Sequence, residues 1–312
     1  MSWTSLPILP FLIALYLSVN GARSRKLSPS GAVTAFLVGF AVMSTHVRAV
    51  GVSLVVFYLV GSKATKQGKQ RKAQLEAGYQ GSGYRTGWQV LCNSLAAVVA
   101  CVIWSGRFTP DVLPWSLFAR GPYAPPDVYH SDGWCPVSPA VAGGLSRALV
   151  LATLGQFACC LGDTLASELG ILSSSPPILI TTLKPVPAGT NGGISLGGTI
   201  ASAIGGCIIG LAQFVSLVVE NSVCRAEWTS LLLTLVGWGT AAGILGSMLD
   251  SFLGATLQRT RYSADKKRIL QDESVPGTNE SIKVISGVNV LTNNQVNLLS
   301  SVVTALVVAG VA

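Results

Sequence analysis

The sequence predicts an all-α fold, in which about eight transmembrane helices (between about seven and nine) form one polytopic membrane domain of 312 residues. Only 11% of the residues are charged, against roughly 25% in soluble globular domains. Half of the chain is hydrophobic, and its mean hydropathy is +0.55. The hydrophobic residues also form long runs, and a helix needs about 20 of them to cross a bilayer. Together these observations favour an integral membrane protein over a soluble, disordered or disulfide-rich secreted one.

The ends of the charge-free runs give the approximate bounds of each predicted helix. The second and third runs are short and lie close together, so a re-entrant pair is an alternative there. Arg23, Arg25 and Lys26 follow the first run, whereas a signal peptide carries its positive charge before the apolar segment. We therefore favour an uncleaved first span. The predicted spans are 5–20, 29–44, 49–62, 88–105, 139–161, 194–219, 229–257 and 287–312.

The distribution of basic residues predicts the topology, because Lys and Arg accumulate in cytoplasmic loops. Sixteen of the 21 basic residues lie in the first, third, fifth and seventh loops, and four lie in the other loops. The loops 63–87 and 258–286 are therefore predicted to be cytoplasmic, whereas the Pro- and aromatic-rich loop 106–138 and both termini are not. Cys135 and Cys224 fall on the non-cytoplasmic side, where a disulfide is chemically permitted. They either pair there or stay free.

The types of residue present exclude several kinds of catalytic site. The chain has two histidines, His46 and His130, so a His-rich metal site cannot be built. Any Ser-His or Cys-His catalytic unit would need one of these two. The sequence also lacks the G-x-x-x-x-G-K-[ST] phosphate loop.

Three of the acidic residues in or beside predicted spans are candidates for function, because an ionisable group is costly there. They are Asp163, Glu168 and Asp250. Asp163 and Glu168 are five residues apart, so on a helix they do not share a face but can border one cleft. Asp163 could instead cap a helix, and Asp250 could make an interhelical hydrogen bond.

A glycine-rich segment precedes the sixth span and is the best candidate for binding phosphate. Successive backbone N–H groups at the start of a helix bind anions, and Lys184 adds positive charge. A turn that only caps the span is the alternative. Asparagines at the entries of the fourth and last spans could ligate a polar head group, although capping explains each one equally well. The candidates are Gly189, Thr190, Asn191, Gly192, Gly193 and Ser195 for phosphate, and Asn93, Asn293 and Asn297 for the head group.

Five ordered motifs give the chain a specific family resemblance over nearly its whole length. It resembles the transmembrane-protein-19-like family, long described as a domain of unknown function, whose plant member is a phytyl-phosphate kinase. It is more distantly similar to dolichol kinases and phosphatidate cytidylyltransferases, which use CTP and a divalent metal. Loop 106–138 departs from the family pattern. The motifs are Lys63-Ala-Thr-Lys, Arg85-Thr-Gly-Trp-Gln-Val-Leu-Cys-Asn93, Gly162-Asp-Thr-Leu-Ala-Ser-Glu-Leu-Gly170, the segment 184–195 and Gly246-Ser-Met-Leu-Asp-Ser-Phe-Leu-Gly-Ala255.

The resemblance implies an isoprenoid-phosphate kinase that transfers a phosphoryl group from a nucleoside triphosphate, such as CTP, to a prenyl monophosphate. Asp163 and Asp250 would hold Mg²⁺ or another divalent cation, with Glu168 as a third catalytic acid. Lys63, Lys66 and Arg85 would bind the prenyl phosphate. The expected partners are the lipid bilayer and the two substrates, with no nucleic acid, and the expected location is an intracellular membrane of endoplasmic-reticulum type. An ion-coupled transporter and a non-enzymatic membrane protein are the alternatives.

Overall fold

The computed structural model describes residues 7–77, 84–110, 128–173, 176–270 and 281–311. Within these ranges the chain is mainly helical, and a short 3₁₀ turn at Val141–Gly144 leads into the seventh helix. The α-helices are α1 (Ile8–Arg23), α2 (Pro29–Met43), α3 (Arg48–Ala64), α4 (Lys69–Leu75), α5 (Gly87–Cys92), α6 (Leu95–Phe108), α7 (Leu145–Gly170), α8 (Leu196–Glu220), α9 (Ser222–Ala226), α10 (Trp228–Leu257) and α11 (Asn293–Val311).

Four helical segments are long and apolar enough to cross a membrane: α7 with the turn before it, α8, α10 and α11. A fifth is added if α3 and α4, which meet at a bend of 75°, count as one broken span. Helices α1, α2 and α6 are apolar but shorter. The predicted helical membrane bundle is therefore confirmed. Length and composition support four or five crossings in the described part of the chain, against the eight predicted.

The fourth predicted span, 88–105, is not one continuous helix. It breaks between α5 and α6, where the Asn93 side-chain amide donates to the Gln89 carbonyl over 3.0 Å and the Ser94 hydroxyl donates to the Val90 carbonyl over 2.8 Å. Ser94 itself leaves the helical conformation, at φ −140° and ψ −7°. Asn and Ser side chains that bond to nearby backbone groups compete with helix hydrogen bonds. The break follows from these two adjacent residues.

Small residues allow α7, α8 and α10 to pack closely. A Cβ added at Gly243 would lie 2.5 Å from the Ser202 carbonyl oxygen, and one added at Gly162 would lie 2.8 Å from the Gly243 Cα. Gly206 faces the backbone of Gly239. The four-residue spacing of small residues in α10 predicts such an interface, and the structure confirms it.

A small sheet joins the two polar loops that follow α3 and α10. Its strands are β1 (Glu76–Ala77), β4 (Thr260–Ser263), β5 (Arg268–Leu270) and β6 (Ile282–Ser286), in the order β1-β5-β4-β6. The strand β1 is parallel to β5, and β4 is antiparallel to both of its neighbours. The all-α prediction is wrong here, because these segments pair only through contacts between loops that are distant in sequence. A second, two-stranded sheet consists of β2 (Ile178–Leu179) and β3 (Gly193–Ile194).

The opposite end of the bundle is held by a disulfide bond between Cys135 and Cys224, whose Cα atoms are 4.9 Å apart. The Asn221 amide donates to the Trp134 carbonyl over 2.8 Å beside it. The Trp104 indole donates to the Ser146 hydroxyl over 2.9 Å at the start of α7. Helix α7 runs from this end to the end that carries the four-stranded sheet. Of the two alternatives for these cysteines, the structure has them paired.

Candidate functional site

Asp163 and Asp250 approach each other across the interface between α7 and α10. Each side chain is half-buried, and the two carboxylates are close enough for the charge on one to act on the other. The Ser247 hydroxyl, one turn before Asp250, donates to Asp163 Oδ1 over 3.3 Å. Glycines let the two backbones come this close, because Gly162 precedes Asp163 and packs against Gly243. Two acids far apart in sequence therefore form one acidic pair.

Helix α11 completes this pair from a third side. The Ser300 hydroxyl donates to Asp250 Oδ2 over 2.9 Å. With its amide nitrogen turned toward the carboxylate, Asn297 donates to the same oxygen over 3.2 Å and to the Asn293 carbonyl over 3.1 Å. Asn293 and Asn297, predicted as ligands of a prenyl phosphate, thus lie beside the acidic pair. Sequence reasoning missed Ser247 and Ser300, although each lies three residues from a candidate on its own helix.

The glycine-rich segment packs beside the acidic pair. Gly192, at φ +79°, lies where a Cβ would meet Ala255 and would lie 2.5 Å from the Ser251 carbonyl oxygen, one residue after Asp250. A side chain at this position would be strained and would also push the segment away from α10. Gly189 likewise has a positive φ, of +87°. Gly192 therefore serves close packing against α10.

Several amides of this segment already have partners. The Asn191 amide donates to Thr260 Oγ1 over 3.2 Å, the Thr190 amide donates to the Pro187 carbonyl over 3.2 Å, and the Gly193 amide donates to the Thr190 carbonyl over 2.9 Å. The Ser195 hydroxyl caps α8 by accepting from the Gly198 amide over 3.1 Å. The segment as folded thus lacks the run of free N–H groups that supported the phosphate prediction. Lys184 is exposed, so its charge is available to a ligand.

Glu168 lies apart from the acidic pair, on another side of α7. Its carboxylate forms an ion pair with Lys72 of α4, with Lys72 Nζ 2.5 Å from Glu168 Oε2. The neighbouring Arg71 guanidinium donates to the carbonyls of Leu172 and Ser173, over 3.0 Å in each case. Helix α4 is thereby fixed to the end of α7. No pattern in the basic run 63–72 distinguishes Lys72 from its neighbours.

The predicted prenyl-phosphate residues do not form one cluster. Arg85 is partly buried, and its guanidinium donates to Ser62 Oγ over 3.2 Å and to Thr65 Oγ1 over 3.5 Å. Lys63 and Lys66 are exposed. Asn93 bonds within its own helix. Of these four side chains, that of Arg85 is the one held by hydrogen bonds to hydroxyls at the end of α3.

The donor atoms around the acidic pair fit a magnesium ion. Within the described ranges, no group of three or more His, Cys, Asp or Glu side chains is placed to hold a metal. Asp163 and Asp250 instead supply carboxylate oxygens, with neutral hydroxyls beside them. Mg²⁺ is commonly bound by one or two carboxylates together with substrate phosphates, whereas zinc prefers nitrogen and sulfur ligands.

Comparison with known proteins identifies the family. Residues 12–305 match the family described as integral membrane protein DUF92. The chain belongs to this family. It is 32% identical to Protein PGR of Arabidopsis thaliana over 307 residues, which cover 96% of this chain and 93% of that protein.

Two further relatives agree with this assignment. The chain is 26% identical over 258 residues to an uncharacterized membrane protein of Synechocystis sp., sll0875, covering 82% of this chain and 81% of that protein. It is also 26% identical over 210 residues to Protein VTE6, chloroplastic, of Arabidopsis thaliana, covering 65% of this chain and 52% of that protein. No solved structure matches the chain. The predicted resemblance to the transmembrane-protein-19-like family is confirmed, and the chain is an integral membrane protein.

Proposed function

We propose that this protein is a membrane-embedded kinase of isoprenoid monophosphates, which transfers a phosphoryl group from a nucleoside triphosphate such as CTP. The observation that carries the proposal is the pair Asp163 and Asp250, contributed by two apolar helices and supported by hydroxyl donors. Two carboxylates inside a membrane bundle are costly, and a shared cation would offset their repulsion. The pair lies next to a polar segment that a water-soluble nucleotide can reach.

The residues of the site have separate roles in this proposal. Bound Mg²⁺ would neutralise phosphate charge, which is the main requirement of phosphoryl transfer. Asp163 and Asp250 would hold it, and Ser300 and Asn297 fix the orientation of Asp250. Lys184, which is exposed beside segment 189–193, provides positive charge for the nucleotide phosphates, while Arg85 holds the prenyl phosphate. The prenyl tail lies between helices, in the lipid.

We also propose that the shorter helices cross the membrane, which makes eight crossings with both termini away from the cytoplasm. The interactions at the two ends of the bundle support this topology. The basic loops that follow α3 and α10 meet in one sheet at one end, and the disulfide lies at the other. We assign the protein to an intracellular membrane of endoplasmic-reticulum type. A relative described as chloroplastic supports an intracellular membrane.

An ion-coupled transporter is the second candidate, favoured by polar side chains deep in the bundle. Gln156 of α7 and Gln213 of α8 are fully buried. Gln213 Nε2 donates to Thr153 Oγ1 over 3.2 Å. Buried polar groups in membrane helices mark ion pathways in transporters.

Purified protein in detergent, incubated with prenyl monophosphates, nucleoside triphosphates and Mg²⁺, separates the two candidates. A kinase forms the prenyl diphosphate and stops when EDTA removes the metal. Asp163→Asn and Asp250→Asn should each lower the rate by roughly a hundredfold or more, because a metal clamp contributes several kcal/mol. Glu227→Gln, an exposed acid at the opposite end, is the matched control. Ion-driven uptake into liposomes without nucleotide, and no diphosphate, would establish the transporter instead.

A further inference from the structure

The segment between α1 and α2 brings a lysine beside Arg85. The Arg85 amide donates to the Lys26 carbonyl over 2.9 Å, and the Ser28 amide donates to the Arg85 carbonyl over 3.0 Å. Leu27 and Arg85 form a parallel bridge. These backbone bonds fix the positions of Lys26 and Arg85 relative to each other. Both side chains are partly buried, unlike the exposed Lys63 and Lys66.

Tyr58 of α3 lies between these two cations. Lys26 Nζ is 5.8 Å from the centroid of its ring, and its hydroxyl is close enough to Arg85 for an electrostatic interaction. The hydroxyl oxygen is buried and has no hydrogen-bond partner among the described residues. A buried hydroxyl without a partner is uncommon, because the lost hydrogen bond costs free energy. It offers a donor to a ligand.

Positive charge is in excess here. Burial lowers the pKa of Lys26, and so do the nearby charges of Lys66 and Arg85. Glu168 is the carboxylate that acts on Arg85, but it is already paired with Lys72. Both charges that act on Lys26 are therefore positive, and the carboxylate that acts on Arg85 is engaged by another cation. An anion bound beside Lys26 and Arg85 would reduce this repulsion.

We propose that Lys26, Tyr58 and Arg85 form a binding site for a phosphate monoester. Arg85 would bind two phosphate oxygens with its planar guanidinium, Lys26 would add a point charge, and the Tyr58 hydroxyl would donate to a third oxygen. As an extension that rests on the proposed function, this phosphate is the head group of the lipid acceptor. Neither Lys26 nor Tyr58 is among the ligand-binding residues predicted from the sequence.

The phosphate site and the acidic pair lie on different sides of α7. Glu168, which acts on Arg85, lies five residues after Asp163 on α7, about 7.5 Å along the helix axis. The phosphate site thus faces α7 from the α3 side, whereas the acidic pair faces α10 and α11. A phosphate held by Arg85 is therefore a bound form of the acceptor that must move along α7 toward Asp163 before phosphoryl transfer.

Calorimetric binding to the full-length protein in detergent tests the site without catalysis. The titrants are inorganic phosphate, a C20 prenyl monophosphate and CTP, each with EDTA. Lys26→Gln should weaken binding of both phosphate and prenyl monophosphate by roughly ten- to a hundredfold, the usual effect of losing a charge-assisted hydrogen bond. Tyr58→Phe should weaken it by about three- to tenfold. Arg85→Lys should also weaken it, because the planar fork is lost. Arg23→Gln, at the exposed end of α1, is the matched control and should bind as the wild type does.

Size-exclusion elution identifies any variant that fails to fold. Because Tyr58→Phe removes only one oxygen atom, this variant is expected to fold. Wild-type affinity in both Lys26→Gln and Tyr58→Phe would overturn the site. If CTP competes for the site better than the prenyl monophosphate does, the site binds the nucleotide and the assignment to a lipid head group is wrong. If binding depends on Lys26 and Tyr58 but no diphosphate forms in the kinase assay, the phosphate site stands and the proposed function fails. If the wild type is a kinase but phosphate binding is unchanged in both variants, the proposed function stands and the phosphate site fails.

Discussion

Lys72 and Glu168 form a buried ion pair that joins α4 to the end of α7, with Nζ 2.5 Å from Oε2. Only 2% of the Lys72 side chain and 22% of the Glu168 side chain are exposed. Lys72 Nζ also donates to the Ala64 carbonyl over 3.4 Å, at the end of α3. The pair thus holds the bend between α3 and α4, and Glu168 has a structural partner that the sequence analysis did not predict.

Removing one partner of this pair should destabilise the protein more than removing both. Lys72→Met leaves Glu168 charged and partly buried without its cation, which we expect to cost about 2–4 kcal/mol of unfolding free energy. The double variant Lys72→Met, Glu168→Gln should recover part of this loss. Denaturation in detergent measures the unfolding free energies of the wild type, both single variants and the double variant, which form a double-mutant cycle. If the free-energy changes of the two single variants add up to that of the double variant, the predicted coupling between Lys72 and Glu168 is wrong. Kinase activity in the double variant would show that Glu168 positions α4 and is not catalytic.

Helix α10 should tolerate an added methyl group at Gly237, which contacts no neighbour, but not at Gly243, which packs against α8. At Gly243 the added Cβ would lie 2.5 Å from the Ser202 carbonyl oxygen, whereas nothing lies within 4 Å at Gly237 of the same helix. Gly243→Ala should therefore lower the unfolding free energy by about 1–3 kcal/mol. Gly237→Ala should leave it unchanged or raise it slightly, because Ala favours helix. Thermal unfolding in detergent compares the two, and equal melting temperatures would refute the close contact.

His46, in the link between α2 and α3, should make stability depend on pH. Burial and the charge of Arg48, with a smaller effect of His130, lower the pKa of His46 below its ordinary value. The unfolded chain then binds a proton that the folded chain does not. Stability should therefore fall as pH decreases below about 6.5, until the folded-state pKa is passed. His46→Gln should reduce this dependence between pH 7.5 and 5.5. An identical pH profile in the variant would show that other groups cause it.

The two ends of the bundle should differ in their covalent modifications. Cys135 and Cys224 should be oxidised in the native protein, so that reduction changes its electrophoretic mobility. The sequon Asn279-Glu-Ser281 lies in a loop proposed to be cytoplasmic and should carry no glycan. Residue 279 lies outside the described residues. As a control, Pro114→Asn creates a sequon with Ser116 in loop 106–138 and should become glycosylated. A glycan on Asn279 would reverse the proposed topology.

Sequence reasoning succeeded where the physical cause is local. Hydrophobic runs reflect the transfer of each side chain into lipid, so the positions of the main helices followed from composition along the chain. The four-residue spacing of small residues in α10 predicted a close helix interface, because helical periodicity places such residues on one face. Asp163, Glu168 and Asp250 were selected because a membrane helix rarely carries an acid. The family resemblance rested on motifs of the same local kind.

Only the tertiary structure decided which of these residues meet. It placed Asp163 and Asp250 together and added Ser300 from α11, while Glu168 paired with a lysine that has no distinguishing sequence context. It also joined two polar loops into a sheet and used several amides of segment 189–193 internally. These contacts depend on the relative rotation and depth of helices that pack through glycine. Sequence spacing along one helix contains no information about the rotation of another, so the partners of each charge emerged only from the packed bundle.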